Sequence, residues 1–150
     1  KYRTEEVWIT GSRHKPPRPN DVPKLMRDYF DYYEQEKERQ HPVLLAANLH
    51  QKLVTIHPFI DGNGRTARLI MNLILLRHGF TIANLSGDLP ERMKYYKALE
   101  KSNLENDLSD FHRLIFKTEK ASLVEHVNMC TPNVEAGKGI YFLKKIEPFL

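Results

Sequence analysis

The sequence predicts an all-α domain with one small β-hairpin near its N-terminus, and three observations carry that reading. From Asn20 to Val127 apolar side chains recur at three- and four-residue steps, the period of an amphipathic helix. Strand formers gather at one place, Val7-Trp8-Ile9-Thr10, directly before the turn formers Gly11-Ser12. Helix punctuation (Asn, Asp and Pro at starts, Gly at a stop) falls where those periods begin and end.

The elements follow in order. The hairpin is predicted over about residues 5–17, as a surface flap whose exit, Lys15-Pro16-Pro17-Arg18-Pro19, forbids helix and reads as an extended tether. A first helix starts at Asn20 or Asp21, with Pro23 in its first turn and Val22, Leu25, Met26, Tyr29, Phe30 and Tyr33 on its apolar stripe. A second begins near His41-Pro42; its Val43-Leu44-Leu45-Ala46-Ala47 run is apolar on nearly every side, which predicts a central, buried helix leading to His57. A third opens at Asn63-Gly64, runs through Leu69, Ile70, Leu73, Ile74 and Leu76, and stops at Gly79. Further helices are predicted from Pro90 to about Lys101 and from about Asp107 to Val127. Residues 1–130 thus read as one core, which the chemistry below makes a catalytic one. Residues 131–150 form a tail that either docks on the bundle or opens a further region.

Composition narrows the class. A chain of 150 residues holds one domain with a proper core. The net charge of +4 raises the question of nucleic acid, but basic and acidic residues interleave, as in Glu34-Gln35-Glu36-Lys37-Glu38-Arg39. That is a solvated helix face, and no nucleic-acid partner is expected. One cysteine, Cys130, leaves no internal disulfide and suits a reducing, cytoplasmic setting. No apolar run approaches membrane-spanning length, so no membrane partner is expected either. The chain starts Lys1-Tyr2-Arg3 without methionine, so it reads as a fragment, with room for targeting sequence upstream.

The chemistry concentrates in His57-Pro58-Phe59-Ile60-Asp61-Gly62-Asn63-Gly64-Arg65-Thr66-Ala67-Arg68. Two glycines flank an asparagine where a helix begins, which lets backbone N–H groups converge on an anion at the positive end of the helix dipole. Arg65 and Arg68, three apart, project from one face toward the same phosphates. Asp61 is a hard oxygen ligand placed for Mg²⁺, and His57 is a base near neutral pH. Base, metal-binding carboxylate, amide nest and two arginines within twelve residues describe phosphate transfer. Elsewhere the bland readings stand. Tyr95 and Tyr96 share an apolar helix with Met93 and Leu99, so one of them packs. His50 has no further ligand at metal spacing and reads as a packed or hydrogen-bonded histidine, and Phe59 reads as a loop anchor.

The stretch HPFIDGNGRTAR resembles the Fic signature, HPFx[D/E]GNGRxxR, at every defining position. The likeness extends over roughly residues 2–127: Arg3 to Pro19 resembles that family's flap, His41 to Ile56 its helix entering the active site, and Arg92 to Asn103 its nucleotide-covering helix. The resemblance implies a Fic-type helical bundle and a protein adenylyltransferase, which moves AMP from ATP to a Ser, Thr or Tyr hydroxyl of a target protein and releases pyrophosphate. It implies His57 as general base and Asp61 as the Mg²⁺ ligand. It implies the backbone of Gly62, Asn63 and Gly64 with Arg65 as the phosphate cradle, and Arg68 on the γ-phosphate. Tyr95, with Tyr96 as a substitute in register, and Asn103 would contact the nucleoside. The flap residues Gly11, Ser12, Arg13 and His14 would dock the target by strand-like pairing.

Two alternatives stay open: a kinase or other nucleotide-dependent phosphotransferase on the same scaffold, and a restrained nucleotide-binding module. Auto-modification is a further expectation. Many Fic proteins also carry an inhibitory helix, [S/T]xxxE[G/N]. The nearest stretch here, Thr131-Pro132-Asn133-Val134-Glu135-Ala136, departs at Ala136, so restraint is expected from a helix upstream of Lys1 or on a separate protein.

Overall fold

In a computed structural model of the chain, residues 1–85, 88–130 and 144–150 are described. Helices α1 (Val22–Glu36), α2 (Pro42–Ile56), α3 (Asn63–Arg77), α4 (Leu89–Leu104) and α5 (Ser109–Cys130) follow in order, with single 3-10 turns at Pro19–Asp21 and Glu147–Phe149. Helix α2 is the axis. It packs most extensively on α3 and also against α1, α4 and α5. Its sequence explains why: Ala46 and Ala47 admit neighbouring backbones closely, while Val43, Leu45, Leu49 and Leu53 bury fully around them. Each such leucine contributes about 1.5–3 kcal/mol of apolar burial.

The helix boundaries have local causes. Pro42 and Pro90 sit in first turns, where a missing N–H costs nothing. Asp88 caps α4 by accepting from Glu91 N–H at 2.9 Å. Helix α3 ends in a Schellman turn: Phe80 N–H reaches Leu75 O, Gly79 N–H reaches Leu76 O, and Gly79 adopts the required left-handed φ of 80°.

The N-terminal hairpin is a correction. Among the described residues there is no strand, and residues 5–17 form a loop with a single turn at Thr10-Gly11. The turn itself is present, since Ser12 N–H bonds Ile9 O at 3.1 Å and Gly11 has φ 78°. The ladder behind it is not. Pro16, Pro17 and Pro19 offer no N–H from the returning arm. The N–H groups that remain point elsewhere: Arg13 N–H to the Glu100 carboxylate and His14 N–H to Ser12 Oγ.

At the other end, Ile146 is fully buried in the bundle's core, and Phe149 stacks on Phe116 at 4.7 Å and 5°. Both the inhibitory look-alike at 131–136 and the apolar Ile140-Tyr141-Phe142-Leu143 lie outside the described residues. One buried acidic side chain braces the scaffold. Glu119 of α5, fully buried, accepts from Thr81 N–H and Thr81 Oγ1 at 2.8 Å each, tying the segment after α3 to α5.

Candidate active site

His57 closes α2. Its N–H still bonds Leu53 O, but its backbone turns left-handed, with φ 51° and ψ 58°. Pro58 disfavours a further right-handed helical residue at position 57, which ends α2 there, and the left-handed residue closes the helix as a C-cap. The imidazole is half-buried, and Nδ1 lies 3.2 Å from the Val54 carbonyl. A carbonyl only accepts, so Nδ1 carries the proton and Nε2 is left as the acceptor. Burial is the chief influence lowering the His57 pKa below its usual value; the Val54 carbonyl opposes that shift, and Arg3 and His14 add to it. The ring is therefore neutral at pH 7.

After Pro58 the chain loops to Gly62 and re-enters a helix. Asn63, almost fully buried, clamps that loop: its Oδ1 accepts from Phe59 N–H at 2.9 Å and its Nδ2 donates to Phe59 O at 2.8 Å. The Asn63 side chain is thus structural, and the phosphate reading rests on the backbone. Gly62 has φ 83°, a conformation that favours glycine. As N-cap it supplies no side-chain hydrogen bond, so the first N–H groups of α3 keep no intrahelical or capping acceptor. That leaves them available to an anion.

Asp61 and Arg65 stand at this helix entrance, both largely exposed, with Arg65 Nη2 donating to Asp61 Oδ2 at 2.8 Å. Among the described residues no cluster of three His, Cys, Asp or Glu could hold a metal alone. A single carboxylate beside open amides still fits Mg²⁺, which takes one or two protein carboxylates and completes its shell with water and substrate phosphate.

Arg68 sits one turn further along α3. It lines a cavity of about 1100 Å³ between α4 and α5, together with Tyr95, Tyr96 and the basic side chains of Arg92, Lys97 and Arg113. The two tyrosines divide as the pattern suggested. Tyr95 is buried, its hydroxyl 2.9 Å from Nε2 of fully buried His50, while Tyr96 is 50% exposed. Burial, with Arg68 adjoining, pushes His50 down to about 3, so it stays neutral. Burial likewise raises the Tyr95 hydroxyl to about 12. Asn103 lines a different, smaller cavity of about 350 Å³ with Gln51 and Thr55, and its Oδ1 accepts from both Thr55 Oγ1 and Gln51 Nε2. His57 and Asp61 line neither cavity. Of the sequence-predicted residues, Arg68 thus shares the larger cavity with Tyr95 and Tyr96, Asp61 pairs with Arg65 at the entrance to α3, and Asn103 lines the smaller cavity beside the last turns of α2.

The flap residues are already engaged. Arg13 pairs with Glu100 of α4, through its N–H at 3.0 Å and its guanidinium at 3.2 Å. His14 Nε2 donates to the Thr55 carbonyl at 3.0 Å. Gly11 is exposed and Ser12 half-buried. Sequence reasoning missed Glu100, Gln51 and Thr55. It also missed Arg3, which is 3% exposed and bonds the loop after His57: Arg3 N–H to Pro58 O and Arg3 Nε to His57 O, both at 2.8 Å. No motif position marks any of these four.

Comparison with known families settles the kinship. The profile described as the Fic/DOC family matches residues 1–75, half of the chain, running from the N-terminal arm through α2 and the loop after His57 into α3. This chain belongs to the Fic/DOC family. Among curated relatives of this Fic/DOC chain, the protein adenylyltransferase Fic of Drosophila willistoni is 44% identical over 115 residues, 76% of this chain and 22% of that protein. The protein adenylyltransferase Fic of Nematostella vectensis is 40% identical over 124 residues, 82% of this chain and 28% of that protein. The chain thus spans about a quarter of the length of these relatives. Among solved structures, Fic-1 (aa134–508) from C. elegans superposes with TM-score 0.76 at 34% identity, covering 89% of this chain and 38% of that one. A Fic domain containing signaling protein from Bacteroides thetaiotaomicron gives 0.69 at 29% identity, with coverage of 81% and 53%. Among the described residues the Fic/DOC fold is all-helical here, without the strands of the expected flap.

Proposed function

We propose that this chain is a protein adenylyltransferase, transferring AMP from ATP to a hydroxyl of a target protein. The single observation that carries the reading is the Nδ1–Val54 contact, which leaves His57 Nε2 as a proton acceptor on the loop that leads into the uncapped start of α3. The names of the curated relatives support the same reaction.

In this reading the N–H groups of Gly62, Asn63 and Gly64 hold phosphate oxygens, Arg65 steadies the β-phosphate and Arg68 takes the γ-phosphate. His57 Nε2 removes the proton of the target hydroxyl. The oxygen forms its bond to the α-phosphorus, the bond from that phosphorus to the bridging oxygen breaks, and pyrophosphate leaves with its negative charge held by the arginines. The proton rests on the imidazole until water takes it. Mg²⁺, held by Asp61, would supply charge neutralisation on the phosphates. Tyr96, exposed at the mouth of the larger cavity, is the better placed of the two tyrosines to reach a nucleoside, with Tyr95 behind it.

The cytoplasmic setting rests on the lone Cys130. Restraint by a helix upstream or on a separate protein would act at Arg68. Incubation with ATP labelled at the α- or γ-phosphate tests the reaction: α-label retained on protein supports it, and γ-label retained overturns it in favour of a kinase.

A further inference from the structure

Arg3 is the buried charge for which the proposed reaction has given no use. The residue is 3% exposed, yet none of its hydrogen bonds goes to a carboxylate. Nε donates to His57 O, Nη1 to Glu5 O and Nη2 to Pro17 O, and its own N–H donates to Pro58 O. Desolvating a guanidinium whose donors all go to carbonyls is costly, the charge of Glu6 offsets that only in part, and an apolar side chain would fill this space at less cost in charge burial. What the fork supplies is geometry. Its donors are rigid and coplanar, so the carbonyls they hold are fixed relative to one another.

Those carbonyls are informative. The fork holds the carbonyls of His57, of Glu5 and of Pro17, where the N-terminal arm returns, while the backbone N–H of Arg3 holds the next carbonyl after His57, that of Pro58. His57 itself is in a left-handed backbone conformation that a non-glycine residue adopts at a cost. A strained turn persists only where its surroundings hold it, and such turns gather at functional sites. The Nδ1–Val54 contact that frees Nε2 depends on this turn, because the ring must fold back over the last turn of α2.

We propose that Arg3 is a positioning residue for the transfer reaction: its guanidinium grips the His57 carbonyl, beside the backbone bond to Pro58 O, and so holds the left-handed turn that fixes the imidazole's tautomer and aim, and it couples that turn through Pro17 to the N-terminal arm. This rests on His57 being the general base. Arg3 touches no substrate; it acts through His57. The arm's contacts with α4 and α2, Arg13 to Glu100 and His14 to Thr55, are then mechanically continuous with the base through Pro17 and Arg3.

The test uses Arg3→Lys, which keeps the charge, the stem and the backbone N–H but loses the fork. Long-range proton–nitrogen correlation spectra of ¹⁵N-histidine-labelled chain read the His57 tautomer without any substrate. Wild type should show Nδ1–H alone. Arg3→Lys should show a mixture of tautomers, with the rate of AMP transfer from α-labelled ATP falling about 10- to 100-fold, the scale of a misaligned reacting group. ATP affinity by calorimetry should change less than about twofold, since the phosphate-binding groups are untouched. A wild-type tautomer and rate in the variant overturns the proposal. So does a parallel loss of rate and ATP affinity, which marks general structural damage. If Arg3→Lys does not fold, Arg3→Gln, planar and uncharged, is read by the same criteria. His57→Ala separates the two layers: transfer that survives it refutes the base assignment, whatever Arg3 does.

Discussion

Arg65 reaches back one helical turn to Asp61, Nη2 to Oδ2 at 2.8 Å, and so places a cation on the one carboxylate at the entrance to α3. Both groups are exposed, so the pair contributes little to stability. In the proposed reaction Asp61 would hold the metal and Arg65 would turn onto phosphate. Asp61→Ala is therefore expected to lose Mg²⁺-dependent ATP affinity and transfer together. Calorimetry with and without Mg²⁺ reads this, and equal Mg²⁺ dependence in wild type and variant contradicts it.

His57→Ala should slow transfer by about 10²–10⁴ while ATP binding is retained, because the imidazole serves the hydroxyl and not the phosphates. The pH dependence has a definite sign. The pKa of His57 is held below the usual 6.5, mainly by burial, so the base is in its neutral form at pH 7 and is lost as pH falls through the lowered value. The acidic limb of the transfer rate should have its midpoint below pH 6.5. A midpoint at or above that value is incompatible with this environment.

Glu119 gives a prediction about stability. Burial raises its carboxyl to about 7, against the Thr81 donors that lower it. In the folded chain it holds its proton to a higher pH than in the unfolded one, so its contribution is complete below about pH 4.5 and is lost as pH rises through about 7. The loss is on the order of 3 kcal/mol over that window. Glu119→Gln should flatten the melting temperature across the same range, and a variant that keeps the wild-type slope places the titration elsewhere.

The N-terminal arm should serve the target and not the nucleotide. Glu100→Ala removes a pair whose arginine is 78% exposed, and should cost less than about 1 kcal/mol in urea unfolding. Shortening Gly11 to His14 should leave ATP affinity intact and impair modification of a protein acceptor. Modification at the wild-type rate would move the docking role away from this loop.

Much of this was legible in the sequence because it is local. The helix start at Pro42, the one within a residue of Pro90, the stop at Gly79 and the axis at Ala46-Ala47 all follow from period and punctuation within a few residues. What was not legible depends on long-range partners. A run of strand formers at Val7–Thr10 predicts extended chain, but pairing needs donors across the turn, and prolines 16, 17 and 19 remove them. Period also marks apolar faces without saying which are covered: Leu69, Leu73 and Leu76 recur properly along α3 yet are each more than half exposed, as is Phe30 on α1. Arg3 and Gln51 take their roles from carbonyls and amides more than fifty residues away, which no spacing rule encodes.

The proposed adenylyl transfer requires that the α-phosphate stay on protein. Intact-mass spectrometry of the chain and a protein acceptor after incubation with Mg-ATP measures this directly. An adenylyltransferase adds one adenosine monophosphate to a hydroxyl-bearing protein, and His57→Ala should abolish that gain. A gain of a single phosphate, or an unchanged gain in the alanine variant, would contradict it.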